Sequence, residues 1–405
     1  MSEAASAAAG TGSAGVGEDL SLRADEAWPF YAEDEINAAA DVLRSGKVNQ
    51  WTGPHVFAFQ DECARRFGGE HGIAVANGSL ALELALRAFG IGPGDEVVVT
   101  PRTFMASASC VRLVGAIPVF AEVDRDSGNI TAATIEAVLT SRTKAIIPVH
   151  LAGWPCEMPQ IMALADRHGL FVIEDCAQSH GAEIDGRPAG SFGHAAAFSF
   201  CQDKIISTGG EGGFTSFKDE RLWEWAWSYK DHGKNWQKVR SPAITPGFRW
   251  LHDTVGTNWR LTGPQAAIGS VQLRKLDSWI HARTRNAGLW AEALATIPGL
   301  RIPQARDGLK HAFYKFYCYV DAPDAERKRN EIARRAGESG LRLFSGSCSE
   351  VYLEGAFSDM RHPDLAIARE LGATSLMLEV HPTQRAELVV RRAALLGGIA
   401  AEVLR

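Results

Sequence analysis

The sequence predicts an α/β protein, with a large domain on a mostly parallel sheet covered by helices and a smaller C-terminal α+β domain. Three observations predict it. Short apolar runs alternate with helical stretches between residues 73 and 217, the pattern of a parallel sheet covered on both faces. The chain has 405 residues, 46% of them hydrophobic, enough for a large core and a second, smaller one. Past Ile297-Pro298-Gly299 the pattern changes to an alternating aromatic strand and a charged helix.

The elements follow in order. Residues 33–45 have helical spacing, and Gly46 ends that helix. A second helix over 57–67 stops at Gly68-Gly69. Strands are expected at 73–76, 96–100, 117–123, 145–150, 171–174, 195–200 and 213–217, from runs rich in Val, Ile and Phe. Helices are expected at 79–89, 103–114, 131–141 and 155–168. Residues 235–253, with Gly, Pro, basic and aromatic residues, read as a loop. A long helix starts at Pro264, a strand covers 315–320 and a charged helix covers 325–337. The expected divisions are a mobile Ala/Gly/Ser-rich tail at 1–22, a large domain at 23–285 and a small domain at 286–405.

Composition excludes several classes. The net charge is −6, with no long basic run, so nucleic acid is not an expected partner. Seven cysteines, an odd number with no Cys-x-x-Cys pair, argue against a disulfide framework and a zinc site and for a reducing cytosol. No metal is expected. No apolar run is long enough to span a bilayer, and the N-terminal residues lack the basic and apolar regions of a signal peptide.

The chemistry-bearing residues cluster at strand ends. Lys204 follows the 195–200 strand, and Asp175 ends the 171–174 strand. A lysine can form a Schiff base with the aldehyde of pyridoxal phosphate (PLP), and an acid can pair with the pyridinium nitrogen. An arginine would satisfy Asp175 equally well. Gln178 lies one turn on. Gly78 and Ser79 open a helix and suit a phosphate, or simply a turn and cap. Phe104 could stack on a ring or sit in the core, and Ser199 could bind a phosphate oxygen. The stretch Gly209-Gly210-Glu211-Gly212-Gly213 fits neither a Walker loop nor a dinucleotide fingerprint.

This ordered set resembles the DegT/DnrJ/EryC1/StrS family of PLP-dependent sugar aminotransferases, of fold-type I, from about Trp28 to the C-terminus. The resemblance rests on Gly53-Pro54 and Phe59 and on Asn77-Gly78-Ser79-Leu80-Ala81-Leu82. It continues through Val149-His150-Leu151-Ala152-Gly153, Glu174-Asp175-Cys176-Ala177-Gln178, Ser199-Phe200 with Lys204, and Gly210-Glu211-Gly212-Gly213. His232-Gly233 and Gly256-Thr257-Asn258-Trp259-Arg260-Leu261 complete it. It implies that Gly78, Ser79 and Ser199 hold the phosphate, Phe104 stacks on the ring, and Asp175, with Gln178 beside it, pairs with the ring nitrogen. Lys204 would carry the cofactor and move the proton. Asn258 would cross a homodimer interface to the neighbouring phosphate.

The segment Cys201-Gln202-Asp203 departs from the usual His or aromatic, Pro and small residue, and Trp259 replaces a common Tyr. Both leave the substrate subgroup open. Lys230, His232, Arg249, Trp250 and Arg260 fall where relatives contact a sugar nucleotide, or form a solvated basic loop; His381 lies in a family-like segment. The resemblance implies a cytoplasmic ping-pong transaminase taking an amino group from glutamate or glutamine to a keto sugar of the nucleotide-linked kind, in amino-sugar biosynthesis. Alternatives are a keto-cyclitol aminotransferase, an aminoshikimate-type dehydratase or a PLP-binding accessory subunit.

Overall fold

The computed structural model describes residues 27–242, 248–361 and 363–405. The expected tail, 1–22, lies outside the described residues. The strands are β1 (His71–Val75), β2 (Glu96–Val99), β3 (Ile117–Phe120), β4 (Thr143–Ile147), β5 (Phe171–Asp175), β6 (Glu183–Ile184), β7 (Arg187–Pro188), β8 (Ala195–Ser199), β9 (Gly213–Phe217), β10 (Leu300–Arg301), β11 (Leu309–Lys310), β12 (Phe316–Val320) and β13 (Ser375–Leu378).

Seven of them form the main sheet in the order β1-β9-β8-β5-β4-β2-β3. Neighbours from β8 to β3 are parallel, and β9 alone runs against the rest. Every residue of β2, β8 and β9 is buried, which is why these strands read as runs rather than alternations. The helix Gly78–Ala88 packs on β8 and β9, against a strand face kept small by Ala195 and Ala197.

A second, antiparallel sheet, β10-β12-β13, packs with the helices Ala325–Glu338 and Ala386–Leu404 around Phe316, Cys318, Ile332 and Leu396. The helix Gly263–Leu294 runs through the expected boundary at 285 and contributes Leu276 and Ile280 to one core and Trp290 and Leu294 to the other. Strand β11 returns to pair with β6, beside β7. No helix among the described residues is long and apolar enough to cross a membrane.

Local chemistry explains the helix limits. Gly46 ends Glu33–Ser45 at φ 67°, a conformation that costs a glycine little. Pro264 sits in the first turn of Gly263–Leu294, where its missing N–H costs nothing. Three expectations need correction. The helix expected over 131–141 is only Ala132–Glu136, because the β-branched residues that follow lead into a turn held by Thr140 and Thr143. The helix expected from 103 begins at Ala106, since the Thr103 hydroxyl is engaged by Ser107. The stretch read as a loop at 235–253 opens with the helix Trp236–Arg240, capped by the Asn235 side chain accepting from Lys238 N.

The topology places one edge apart. β1, β2, β4, β5 and β8 all end there, and the antiparallel β9 begins there at Gly213. Ligands of open α/β sheets collect at such an edge.

Candidate active site

A cavity of about 600 Å³ opens at this edge. Gly78, Ser79, Phe104, Asp175, Gln178, Ser199 and Lys204 all line it, so seven separately predicted residues share one site. Asn77 caps the helix at its rim by accepting from Leu80 N at 3.0 Å. A Cβ on Gly78 would stand 2.6 Å from Ser199 Cβ, so the start of the helix approaches the end of β8 this closely only because residue 78 is glycine.

Asp175 lies at the floor of the cavity and is buried. Its Oδ2 accepts from Ser107 Oγ at 2.7 Å, and its Oδ1 accepts from Ala177 N at 3.1 Å. Ser107 Oγ in turn lies 2.8 Å from Thr103 Oγ1, which donates to it because the Ser107 proton is committed to Asp175. Among the described residues no arginine or other base ion-pairs with Asp175, and burial holds its carboxyl above the usual range. A buried carboxylate without a cation is costly. A protonated ring nitrogen from a ligand would remove that cost, and the arginine alternative has no candidate.

Gln178 Oε1 accepts from Ala152 N at 2.7 Å, which fixes its amide beside Asp175. Phe104 is 68% exposed, so it belongs to the cavity wall and not to the core. Lys204 is half-buried, and its Nζ lies 5.0 Å from the centre of the Tyr314 ring.

Beneath the floor, the neighbouring acid is engaged differently. Glu174 is fully buried and accepts from Gly190 N (2.9 Å), Phe192 N (2.7 Å) and Gly193 N (2.6 Å). His150 Nε2 lies 3.0 Å from Glu174 Oε2. Because His150 Nδ1 accepts from Cys156 N, Nε2 must carry the proton and donate. Burial raises the Glu174 carboxyl, but His150 and the amides of Gly193 and Gly190 outweigh it and hold it below its usual value. Strand alternation thus gives the two adjacent acids separate faces, one toward the structure and one toward the cavity. Hydrogen bonds to a charged group contribute roughly 1.5–3 kcal/mol, so Glu174→Gln is expected to destabilise the protein by about 3 kcal/mol in urea unfolding.

The other predicted residues do not line this cavity. Lys230 is fully buried, donates to Gln50 Oε1 at 2.6 Å, and is pushed down to about 7 by burial. Arg260 and Lys234 share Asp231 Oδ1, each at 2.6 Å. His232 and Asn258 are exposed on the neighbouring loop, where Asn258 bridges to Asp231. Arg249 holds the carbonyl of Ser241 at 2.9 Å, and Trp250 is 81% exposed against Phe248. His381 is buried, stacks on Trp28, and is held neutral, down to about 3, by burial and by the nearby Arg283 and Lys315. Sequence reading missed Ser107, Glu174 and Tyr314. Glu174 alone gave a signal, as a second acid on an apolar strand.

The structure brings a lysine and a buried acid without an ion-pair partner together at the carboxyl edge of an α/β sheet. Residues 29–390 match the model of the DegT/DnrJ/EryC1/StrS aminotransferase family, and the chain belongs to that family. It is 39% identical over 345 residues to UDP-N-acetyl-3-dehydro-α-D-glucosamine 3-aminotransferase of Acidithiobacillus ferrooxidans, covering 84% of this chain and 87% of that one. It is 37% identical to GDP-perosamine synthase of Caulobacter vibrioides, covering 80% and 83%. The crystal structure of an aminotransferase from Psychrobacter cryohalolentis superposes with a TM-score of 0.91 at 47% identity, covering 94% of this chain and 99% of that one. The protein is therefore a PLP-dependent aminotransferase.

Proposed function

We propose that this protein moves an amino group from glutamate or glutamine to a nucleotide-linked keto sugar, as a cytoplasmic homodimer with shared active sites. The observation that carries the reading is the meeting of Lys204 with the unpaired, buried Asp175 in one cavity. The named activities of the Acidithiobacillus and Caulobacter relatives support a nucleotide-linked sugar. The exposure of Asn258, outside the cavity of its own chain, supports sharing across a dimer.

Bound PLP supplies an aldehyde that condenses with amines and a ring that withdraws electrons from the neighbouring carbon. The protein's residues do the rest. Asp175 would hold the ring nitrogen protonated, with Ser107 and Ala177 N fixing the carboxylate. The opening amides of Gly78–Ala88, with Ser79 and Ser199, would hold the phosphate. Phe104 would flank the ring, and Gln178 would sit beside it. Lys204 Nζ would take the proton from the donor's α-carbon in the first half-reaction. In the second it would deliver a proton to the acceptor carbon that gains nitrogen.

Incubating the enzyme with L-glutamate or L-glutamine and a panel of UDP-, GDP- and dTDP-linked keto sugars tests this. An aminated sugar nucleotide in the mass spectrum supports the reading. Turnover confined to a keto-cyclitol or an aminoshikimate-type precursor would overturn it, and 32% identity to 3-amino-5-hydroxybenzoate synthase of Amycolatopsis mediterranei makes that comparison worth including.

Gly78→Ala probes the phosphate cradle. Overpacking costs roughly 1–3 kcal/mol, so PLP affinity is expected to fall about tenfold in a titration of the apoprotein.

A further inference from the structure

Lys204 is held from three directions. Its N–H donates to Cys201 O at 3.1 Å, and its carbonyl accepts from Trp28 Nε1 at 2.9 Å. The third contact comes from the opposite cavity wall. Tyr314, 7% exposed, lies between β11 and β12, and its hydroxyl donates to Asp203 Oδ2, on the residue just before the lysine. The Tyr314 ring is the same one that Lys204 Nζ faces at 5.0 Å. Tyr314 is itself anchored, because the buried Arg283 donates to its carbonyl at 3.2 Å. The guanidinium of Arg283 also lies 5.0 Å from the Trp28 ring, so it braces both contacts to the lysine loop. Asp203 is one of the residues at which this chain departs from the pattern it otherwise resembles, so the hydroxyl contact belongs to this sequence.

From this geometry we propose that Tyr314 is a positioning residue for Lys204, with two separable actions. Its hydroxyl clamps the lysine loop through Asp203. Its ring face stabilises the Lys204 ammonium whenever the amine is free and protonated. The proposal rests on Lys204 being the residue that captures the cofactor.

An ammonium is attracted to the negative face of an aromatic ring. The same Tyr314 ring also faces Lys315 Nζ at 5.1 Å. Other groups also face Lys204: Asp175 and His180 from β5 and the turn after it, Cys201 and Asp203 from its own loop, and Glu211 beyond Cys201. Arg283 acts from the long helix through Asp203 and Tyr314. All of them are retained when Tyr314→Phe is compared with Tyr314→Leu, so the comparison isolates the ring.

The experiment follows the visible absorption band as PLP is added to the full-length apoprotein, and measures its rate of appearance and kcat for each variant. An amine held as ammonium against the ring does not attack the aldehyde, so Tyr314→Leu is expected to form the band roughly threefold faster than Tyr314→Phe. Tyr314→Phe is expected to form the band at the wild-type rate and to melt like wild type, while kcat drops several-fold from the lost clamp. Should Tyr314→Leu fail to fold, Tyr314→Met also removes the ring.

Equal rates of band formation in Tyr314→Leu and Tyr314→Phe would overturn the ring's role. A Tyr314→Phe enzyme with wild-type kcat would overturn the clamp. Lys204→Ala keeps the underlying reading separate. If that variant still develops the lysine-dependent band, the assignment of Lys204 fails and this proposal falls with it. If it does not, a negative result counts against Tyr314 alone.

Discussion

Lys204→Ala is expected to reduce turnover by about 10⁴-fold, the upper range for a group that also transfers a proton. The visible band of the lysine-bound cofactor is expected to be missing as well. The variant should fold normally. Lys204 is half-buried, and among the described residues no carboxylate lies within ion-pair distance of it. Two measurements check this: the absorption spectrum after adding PLP, and thermal melting beside wild type. Wild-type melting with no band places the loss in the chemistry. A band of normal intensity would remove Lys204 from the mechanism.

Asp175→Asn has the second largest expected effect, and its two consequences run in opposite directions. In the loaded enzyme, removing one partner of a buried charge pair costs about 3–5 kcal/mol, so turnover should fall roughly 200- to 5,000-fold. In the apoprotein the sign reverses. Burial raises the Asp175 carboxyl above its ordinary value, so the fold keeps that proton to higher pH than the unfolded chain does. Stability is therefore lost as pH rises from the ordinary carboxyl value through the raised one. Once the carboxyl ionises in the folded apoprotein that penalty is present, and asparagine removes it. Apo Asp175→Asn should melt no lower than apo wild type at pH 7, and its advantage should vanish in acid. A large loss of apoprotein stability at pH 7 would show that Asp175 serves the fold rather than the cofactor.

The sequence displayed the sheet well because β2, β8 and β9 are buried on both faces and leave continuous apolar runs. It displayed the cavity because the residues of that edge follow strand ends directly. Ser107 could not be found this way. It reaches Asp175 from a helix 68 residues away in sequence, and nothing about a serine among small residues marks that contact. Tyr314 was hidden for the same reason, since its ring reaches Lys204 across the cavity from beyond the long helix. Lys230 illustrates the reverse case. Its charge suggested a ligand, yet burial against Gln50 and Trp227 uses it inside the protein. The helix Ala386–Leu404 was not among the expected elements, although Val389, Ala393, Leu396 and Ala400 fall at helical spacing and are buried.

The decisive measurement is the absorption spectrum of the PLP-loaded protein before and after L-glutamate. A visible band that depends on Lys204 is expected, replaced on adding the amino donor by the near-ultraviolet absorption of the aminated cofactor. A protein that never develops the band would contradict the assignment of Lys204 and Asp175 as the centre of the site.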